Sequence, residues 1–163
     1  MGNDGNFAWE PRPGVVVRRA HPGDARQLAP WLRAADKKEI RLASGGPPIR
    51  SLLNGVEGAE LCFALVADGR CEAMFGVTRQ TRRFGVLWLL GSPWLAKHPR
   101  ILLEGARTFL PILGRKFEVL GNMIWSGQHA YIKFLDRLGF EFRQHEEFPK
   151  EFLLFTKEVK EHV

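Results

Sequence analysis

The chain has 163 residues, 45% of them apolar, with 12 Phe, 5 Trp and a single Tyr. A domain of this length buries about 68–70% of its unfolded surface, so it needs neither disulfide nor metal, and so apolar a composition excludes disorder. Twenty-four Lys and Arg against eighteen Asp and Glu leave a net charge of +6; the basic residues are scattered and carry no nucleic-acid signature, so they read as a solvated surface, with an anionic partner the lesser alternative.

Residues 1–14, rich in Gly, Asn and Pro, are expected to be a mobile or draped arm, with one domain over 15–163. The start carries neither the basic nor the apolar segment of a secretory signal, and no apolar run approaches the roughly 18 residues of a membrane span. Val15-Val16-Val17-Arg18 reads as a short strand. Ala25, Leu28, Trp31 and Leu32 form a helical stripe that Pro30 should end or kink. Asp36-Lys37-Lys38-Glu39 has the form of a capping box, opening a helix that stops at Gly45-Gly46-Pro47-Pro48. Ile49, Leu52 and Leu53 suggest a further helical turn or two.

Leu61 to Ala67 and Arg70 to Thr78 read as a hairpin around Asp68-Gly69, a strong two-residue turn signal. That turn places Val66 opposite Cys71 and Cys62 opposite Phe75. The two sulfurs then lie about 13 Å apart at ~3.3 Å per residue, beyond the ~7 Å Cα limit of a disulfide. Both should be free thiols, as in a reducing compartment, and without a neighbouring His or third Cys no metal site is expected. Gly85 to Gly91 makes a third strand. Pro99 suits a first helical position; Leu102, Ala106, Phe109, Leu110 and Leu113 follow at helical spacing, with Pro111 expected to kink the end. Phe117 to Trp125 reads as a strand. Tyr131, Phe134, Leu135 and Leu138 then mark a helix capped by Gly139. Phe140 to Phe142 and Phe152 to Thr156 close the chain as strands. The expected fold is α/β (α+β): one mixed sheet of about six or seven strands with helices on both faces.

Arg18 to Ala25, and Ala130 to Phe140 with its Leu-Gly-Phe ending, resemble the GNAT superfamily of CoA-dependent acyltransferases. Over about residues 15–157, four segments resemble a smaller GNAT-like family of short-tailed bacteriophages: Ala35 to Ile40, Met74 to Val77, Trp88 to Ser92 and Leu120 to Asn122. Its members are internal virion proteins or candidate acetyltransferases. The resemblance implies a GNAT-like domain in the virion or host cytoplasm, with virion or host proteins, or further copies of itself, as partners.

A GNAT enzyme cradles the CoA diphosphate after its fourth strand, on an Arg/Gln-x-x-Gly-x-Gly/Ala loop whose main-chain N–H groups bind phosphate. Here the stretch is Gly91-Ser92-Pro93-Trp94-Leu95-Ala96-Lys97-His98-Pro99-Arg100, in which two prolines remove donors and Trp94 adds bulk. If acetyl-CoA binds, the side chains of Lys97, His98 and Arg100 would have to attract its phosphates. Main-chain N–H groups of Leu89, Leu90 and Gly91 would polarise the thioester carbonyl, and Asn122 and Gln128 would flank the opening between the fourth and fifth strands. The family's tyrosine acid aligns with Leu135, which cannot donate a proton.

Asp36 and Glu39 are candidate general bases, although a capping box explains both and is the simpler reading. Glu57 and Glu60 fit a solvated loop better than a base pair, and Tyr131 and the terminal phenylalanines fit the core. Asn122 serves a cofactor opening or a strand bulge equally well. The favoured reading is a catalytically degenerate GNAT-fold virion or host-interaction protein needing no cofactor; the alternative is an acetyl-CoA-dependent N-acyltransferase with Glu39 as base.

Overall fold

A computed structural model describes residues 8–159. Its strands are β1 (Trp9–Arg12), β2 (Val15–Arg19), β3 (Leu61–Ala67), β4 (Arg70–Arg79), β5 (Phe84–Gly91), β6 (Val119–Trp125), β7 (Glu141–Arg143) and β8 (Phe152–Glu158); its helices are α1 (Pro22–Leu28), α2 (Ala34–Ala43), α3 (Pro48–Gly58), α4 (Trp94–Lys97), α5 (Pro99–Leu113) and α6 (His129–Arg137). The eight strands form one sheet in the order β1-β2-β3-β4-β5-β6-β8-β7. Every pairing is antiparallel except β5 with β6.

The sheet exceeds the expected six or seven strands partly because residues 9–12 of the expected arm lie along β2 as a paired strand. Trp9 anchors them, its ring packing edge-on against Phe109 at 6.0 Å. Residues 1–7, the rest of the expected arm, lie outside the described residues.

Alternation along the strands sorts the core into two layers. Phe63, Leu65 and Ala67 face one way and join Phe109 and Leu113 of α5 and Tyr131 of α6. Cys62, Ala64, Cys71 and Met74 face the other and meet Ala25 and Leu28 of α1 and Leu52 of α3. α1 ends at Leu28, and Pro30 falls in a 3-10 turn, Ala29–Trp31. α5 begins at Pro99 as expected but runs through Pro111 to Leu113.

Asp68 and Gly69 have φ of +49° and +82°, the left-handed pair that a two-residue hairpin requires. Beyond the turn the register slips by one: Val66 faces Cys71, but Leu65 faces Ala73 and Cys62 faces Gly76. Glu72 is the extra residue of a bulge, which the simple ladder expected from the turn does not include. Both cysteines are buried free thiols, and burial pushes each pKa up to about 12. At the other end of the sheet Gly139, at φ +92°, closes α6, and the Phe140 N–H returns to the Leu135 carbonyl at 3.1 Å.

The feature that positions the site is the short contact between β5 and β6. Their ladder covers only Phe84–Val86 against Val119–Gly121. Beyond it the two strands separate into a V.

Candidate functional site

Helix α2 lies across the ends of the V. The Arg33 N–H, just before its first turn, donates to the Gly91 carbonyl at the end of β5 (2.9 Å). The Gly91 N–H donates back to the Asp36 carboxylate at 3.0 Å. Asp36 is fully buried and also accepts Gln128 Nε2 at 2.8 Å and the Tyr131 hydroxyl at 3.3 Å. Arg33 Nη2 stands 3.8 Å from Asp36 and donates to Gln128 Oε1 at 2.6 Å, and its guanidinium lies 3.9 Å from the centre of the Tyr131 ring. One turn further on, the Glu39 carboxylate accepts the Trp125 N–H at the end of β6, at 2.9 Å. Two carboxylates on one helix therefore tie the separated strand ends together.

This arrangement corrects the capping-box reading. The helix begins at Ala34, two residues before the cap expected at Asp36, so Asp36 and Glu39 lie inside it; with the Arg33 N–H turned toward β5, the Asp36 carboxylate serves the sheet and α6. Burial raises the pKa of Asp36, against the opposing pull of Arg33 and the donated hydrogen bonds. Burial likewise raises Glu39, helped by the charge of Asp36.

Asn122 stands at the point where the strands part. Its Nδ2 donates to the Leu87 carbonyl at 2.9 Å and its Oδ1 accepts the Met123 N–H at 2.7 Å. The side chain acts as one more rung in a ladder whose main chains no longer reach. Beyond it lies a cavity of about 440 Å³ lined by four consecutive residues, Leu87 to Leu90. Its walls draw on both faces of the sheet, with Ser51 and Gly55 of α3 on one and Phe109 and Leu113 of α5 on the other.

Most N–H groups of the turn after β5 already have partners. The Ser92 N–H donates to the Glu72 carbonyl at 2.9 Å, the Ser92 hydroxyl donates to the Glu72 carboxylate, and Arg70 Nε holds the same carboxylate at 2.7 Å. The Trp94 N–H turns back to Ser92 Oγ at 3.1 Å. The N–H groups of Leu95, Ala96 and His98 donate to the carbonyls of Ser92, Pro93 and Leu95 at 3.3, 3.2 and 3.1 Å. Pro93 and Pro99 have no N–H. The His98 ring stacks on Trp94 at 3.8 Å, with Nδ1 2.8 Å from the Trp94 carbonyl oxygen. Lys97 and Arg100 are exposed.

A diphosphate held by main-chain N–H groups does not fit over residues 91–96: the N–H groups of Ser92, Trp94, Leu95 and Ala96 have partners, Pro93 has none to offer, and the Asp36 carboxylate occupies the Gly91 N–H at the entrance. Leu90 is no better placed, because it pairs with Met74 on β4 while its neighbours Leu89 and Gly91 face the gap. Leu135 lines the cavity as an apolar wall.

The structure therefore joins Asp36, Gly91 and Gln128 by hydrogen bonds, places Glu39 and Asn122 on the same cavity, and leaves Lys97, His98 and Arg100 outside that network. Glu57 is exposed, and Glu60 is held by Arg79 at 2.8 Å, which lowers its pKa. No cluster of three or more potential metal ligands occurs among the described residues, and none of their helices is long and apolar enough to cross a membrane. Sequence reasoning missed Arg33, the role of the Tyr131 hydroxyl and the Glu72–Ser92 pair. Glu72 gave a usable signal, since a lone acid inside an apolar strand must have partners.

No family model and no curated protein matches the chain. Solved structures do. An acetyltransferase from Streptococcus agalactiae superposes with a TM-score of 0.69 at 12% identity, over 90% of this chain and 99% of that one. The ribosomal-protein-S5-alanine acetyltransferase of Vibrio fischeri gives 0.68 at 15%, over 94% and 97%. A GNAT-family acetyltransferase of Streptococcus pneumoniae gives 0.62 at 18%, over 90% and 99%. With sheet order, separated β5 and β6 and these superpositions in agreement, the chain has the GNAT acetyltransferase fold.

Proposed function

We propose that the chain is a catalytically degenerate GNAT-fold protein that acts by binding another macromolecule, as a virion-associated or host-interaction component of a short-tailed bacteriophage. The observation that carries the non-catalytic reading is that the N–H groups of Gly91, Ser92, Trp94, Leu95, Ala96 and His98 already have partners, where a phosphate cradle needs free ones. Leu135 at the acid position supports it, since a fold by itself carries no activity. The phage placement rests on the resemblance of Ala35 to Ile40, Met74 to Val77, Trp88 to Ser92 and Leu120 to Asn122. Titration calorimetry with acetyl-CoA tests the first part: no heat is expected up to millimolar ligand. Micromolar binding that a Lys97, His98, Arg100 triple alanine variant abolishes would overturn it. Mass spectrometry of purified particles tests the placement, with the chain expected among the virion proteins and its absence contradicting that role.

The second reading is an acetyl-CoA-dependent N-acyltransferase. It is favoured by the through-sheet cavity and by Glu39, a half-buried carboxylate with a raised pKa and therefore suited to a general base. Appearance of free thiol when acetyl-CoA and a panel of amines are supplied would establish it.

A further inference from the structure

The turn between β4 and β5 and the connection from α5 to β6 meet at the start of β5, the opposite end of that strand from residues 91–98. The Glu118 and Val119 N–H groups both donate to the Arg83 carbonyl, at 2.9 and 3.1 Å. Within the turn, Thr81 Oγ1 accepts the Arg83 and Phe84 N–H groups at 3.2 and 3.0 Å. The Arg79 guanidinium lies 4.5 Å from the centre of the Phe117 ring. It donates to Glu60 at 2.8 Å and to the Thr81 and Arg82 carbonyls at 3.4 and 3.1 Å. Two distant segments of the chain are thereby locked into one frame.

That frame encloses a concavity of about 680 Å³ lined by Arg79, Arg82, Arg83, Lys116 and Glu118. Basic residues scattered along the sequence are gathered here by the fold. Arg79 is engaged in building the turn, but the other three cations are not. Arg82 is exposed, and no ion pair holds its side chain among the described residues. Arg83 and Lys116 keep 78% and 72% of their side chains exposed and reach Glu118 and Glu60 only at 3.6 and 4.0 Å. Exposed pairs of that length contribute little to stability. Three positive groups thus converge without holding the fold together, and a cleft lined by one sign of charge focuses its field on whatever enters.

We propose that this concavity binds the phosphodiester backbone of a nucleic acid. Guanidinium forks match phosphate oxygens, and the locked turn presents them with little backbone freedom left to lose on binding. A protein interface would need an aromatic or aliphatic anchor, and a membrane site an apolar face. The concavity has neither: the exposed large hydrophobics among the described residues are Trp31 and Leu42, and neither lines it. Contacts of this kind position phosphate and carry no base sequence information. On binding, a phosphate takes the place of Glu118 on Arg83. The site does not rest on the fate of the turn after β5, since it lies at the other end of the strand.

The test is fluorescence anisotropy of a labelled duplex DNA titrated with the full chain. Roughly three neutralised phosphates give an expected dissociation constant on the order of 10 μM at about 50 mM salt, with log K falling against log salt at a slope of about −2.7. Arg82→Ala, Arg83→Ala and Lys116→Ala should each reduce that slope by about one, and all three together should weaken binding at least tenfold. Glu118→Gln should tighten it. A triple alanine variant at Arg41, Arg50 and Arg107, exposed arginines outside the concavity, removes the same charge and should leave binding within about twofold. No saturable binding at low salt, equal weakening by the two triple variants, or displacement of the duplex by polyglutamate as readily as by unlabelled duplex would each overturn the site. These outcomes leave the reading of the turn after β5 untouched, and CoA shifts at the amides of residues 92–98 would overturn that reading alone.

Discussion

Asp24 and Asp36 occupy the same place in their helices, third from the start, and both are buried. Asp24 serves its own helix: it accepts the His21 N–H at 2.9 Å and is held by both Arg18 Nη atoms at 2.9 and 3.0 Å. Although burial opposes it, the Arg18 and His21 hydrogen bonds leave its pKa lowered. Asp36 turns away from its own helix end, collects donors from β5 and α6, and has its pKa raised by burial. The same helix position thus yields a local cap in one case and a tertiary tie in the other. What separates them is where the N-terminal N–H of the helix goes: the His21 N–H to its own acid, the Arg33 N–H to Gly91.

Removing the tie should do more damage than removing the cap. Asp36→Ala strips the partner from Arg33, the Gly91 N–H and Gln128 together and is expected to cost about 3–5 kcal/mol in urea unfolding. Asp24→Ala loses a cap and an ion pair whose Arg18 side chain is 36% exposed, so about 1–2 kcal/mol is expected. Equal losses would erase the distinction. Asn122→Ala removes the side-chain rung and should cost about 1–2 kcal/mol, with protection of the Met123 amide falling in hydrogen exchange. Trp88→Phe removes a buried indole N–H that has no hydrogen-bond partner among the described residues and should leave unfolding stability within about 1 kcal/mol of the parent. A larger loss would mean the indole N–H has a partner.

The smallest effect is the most diagnostic. Asp24 is lowered from its ordinary value of 3.8, so its contribution is complete above that pH and is lost as pH falls through the folded value. Asp36 and Glu39 are raised from 3.8 and 4.5, so stability is greatest below those values and declines as pH rises through the folded ones. Asp24→Asn should flatten the acid limb of the stability profile, and Asp36→Asn the limb above it. A shared direction would contradict the assignment of one acid as cap and the other as tie.

Most of the fold was legible because its signals are local. The Asp68-Gly69 turn, Pro99 at a helix start and Gly139 after α6 are dictated by backbone conformation within a few residues. Glu72 escaped because a bulge leaves no mark on the turn that sets the register. The β1 strand escaped because its anchor, Trp9 against Phe109, joins residues a hundred positions apart. The site was half legible for the same reason. Asp36, Glu39, Asn122 and Gln128 were identifiable as polar residues at suspicious places, yet the Asp36–Gln128 and Glu39–Trp125 bonds span 92 and 86 residues, and only the folded sheet shows them closing a V.

The central claim is that the N–H groups of Ser92, Trp94, Leu95, Ala96 and His98 are already engaged within the protein. The direct measurement is the ¹⁵N amide spectrum of the chain at increasing CoA, read at Ser92, Trp94, Leu95, Ala96 and His98. Unmoved resonances to millimolar ligand are the expected result. Saturable micromolar shifts at those amides would show a diphosphate seated on the turn and contradict it.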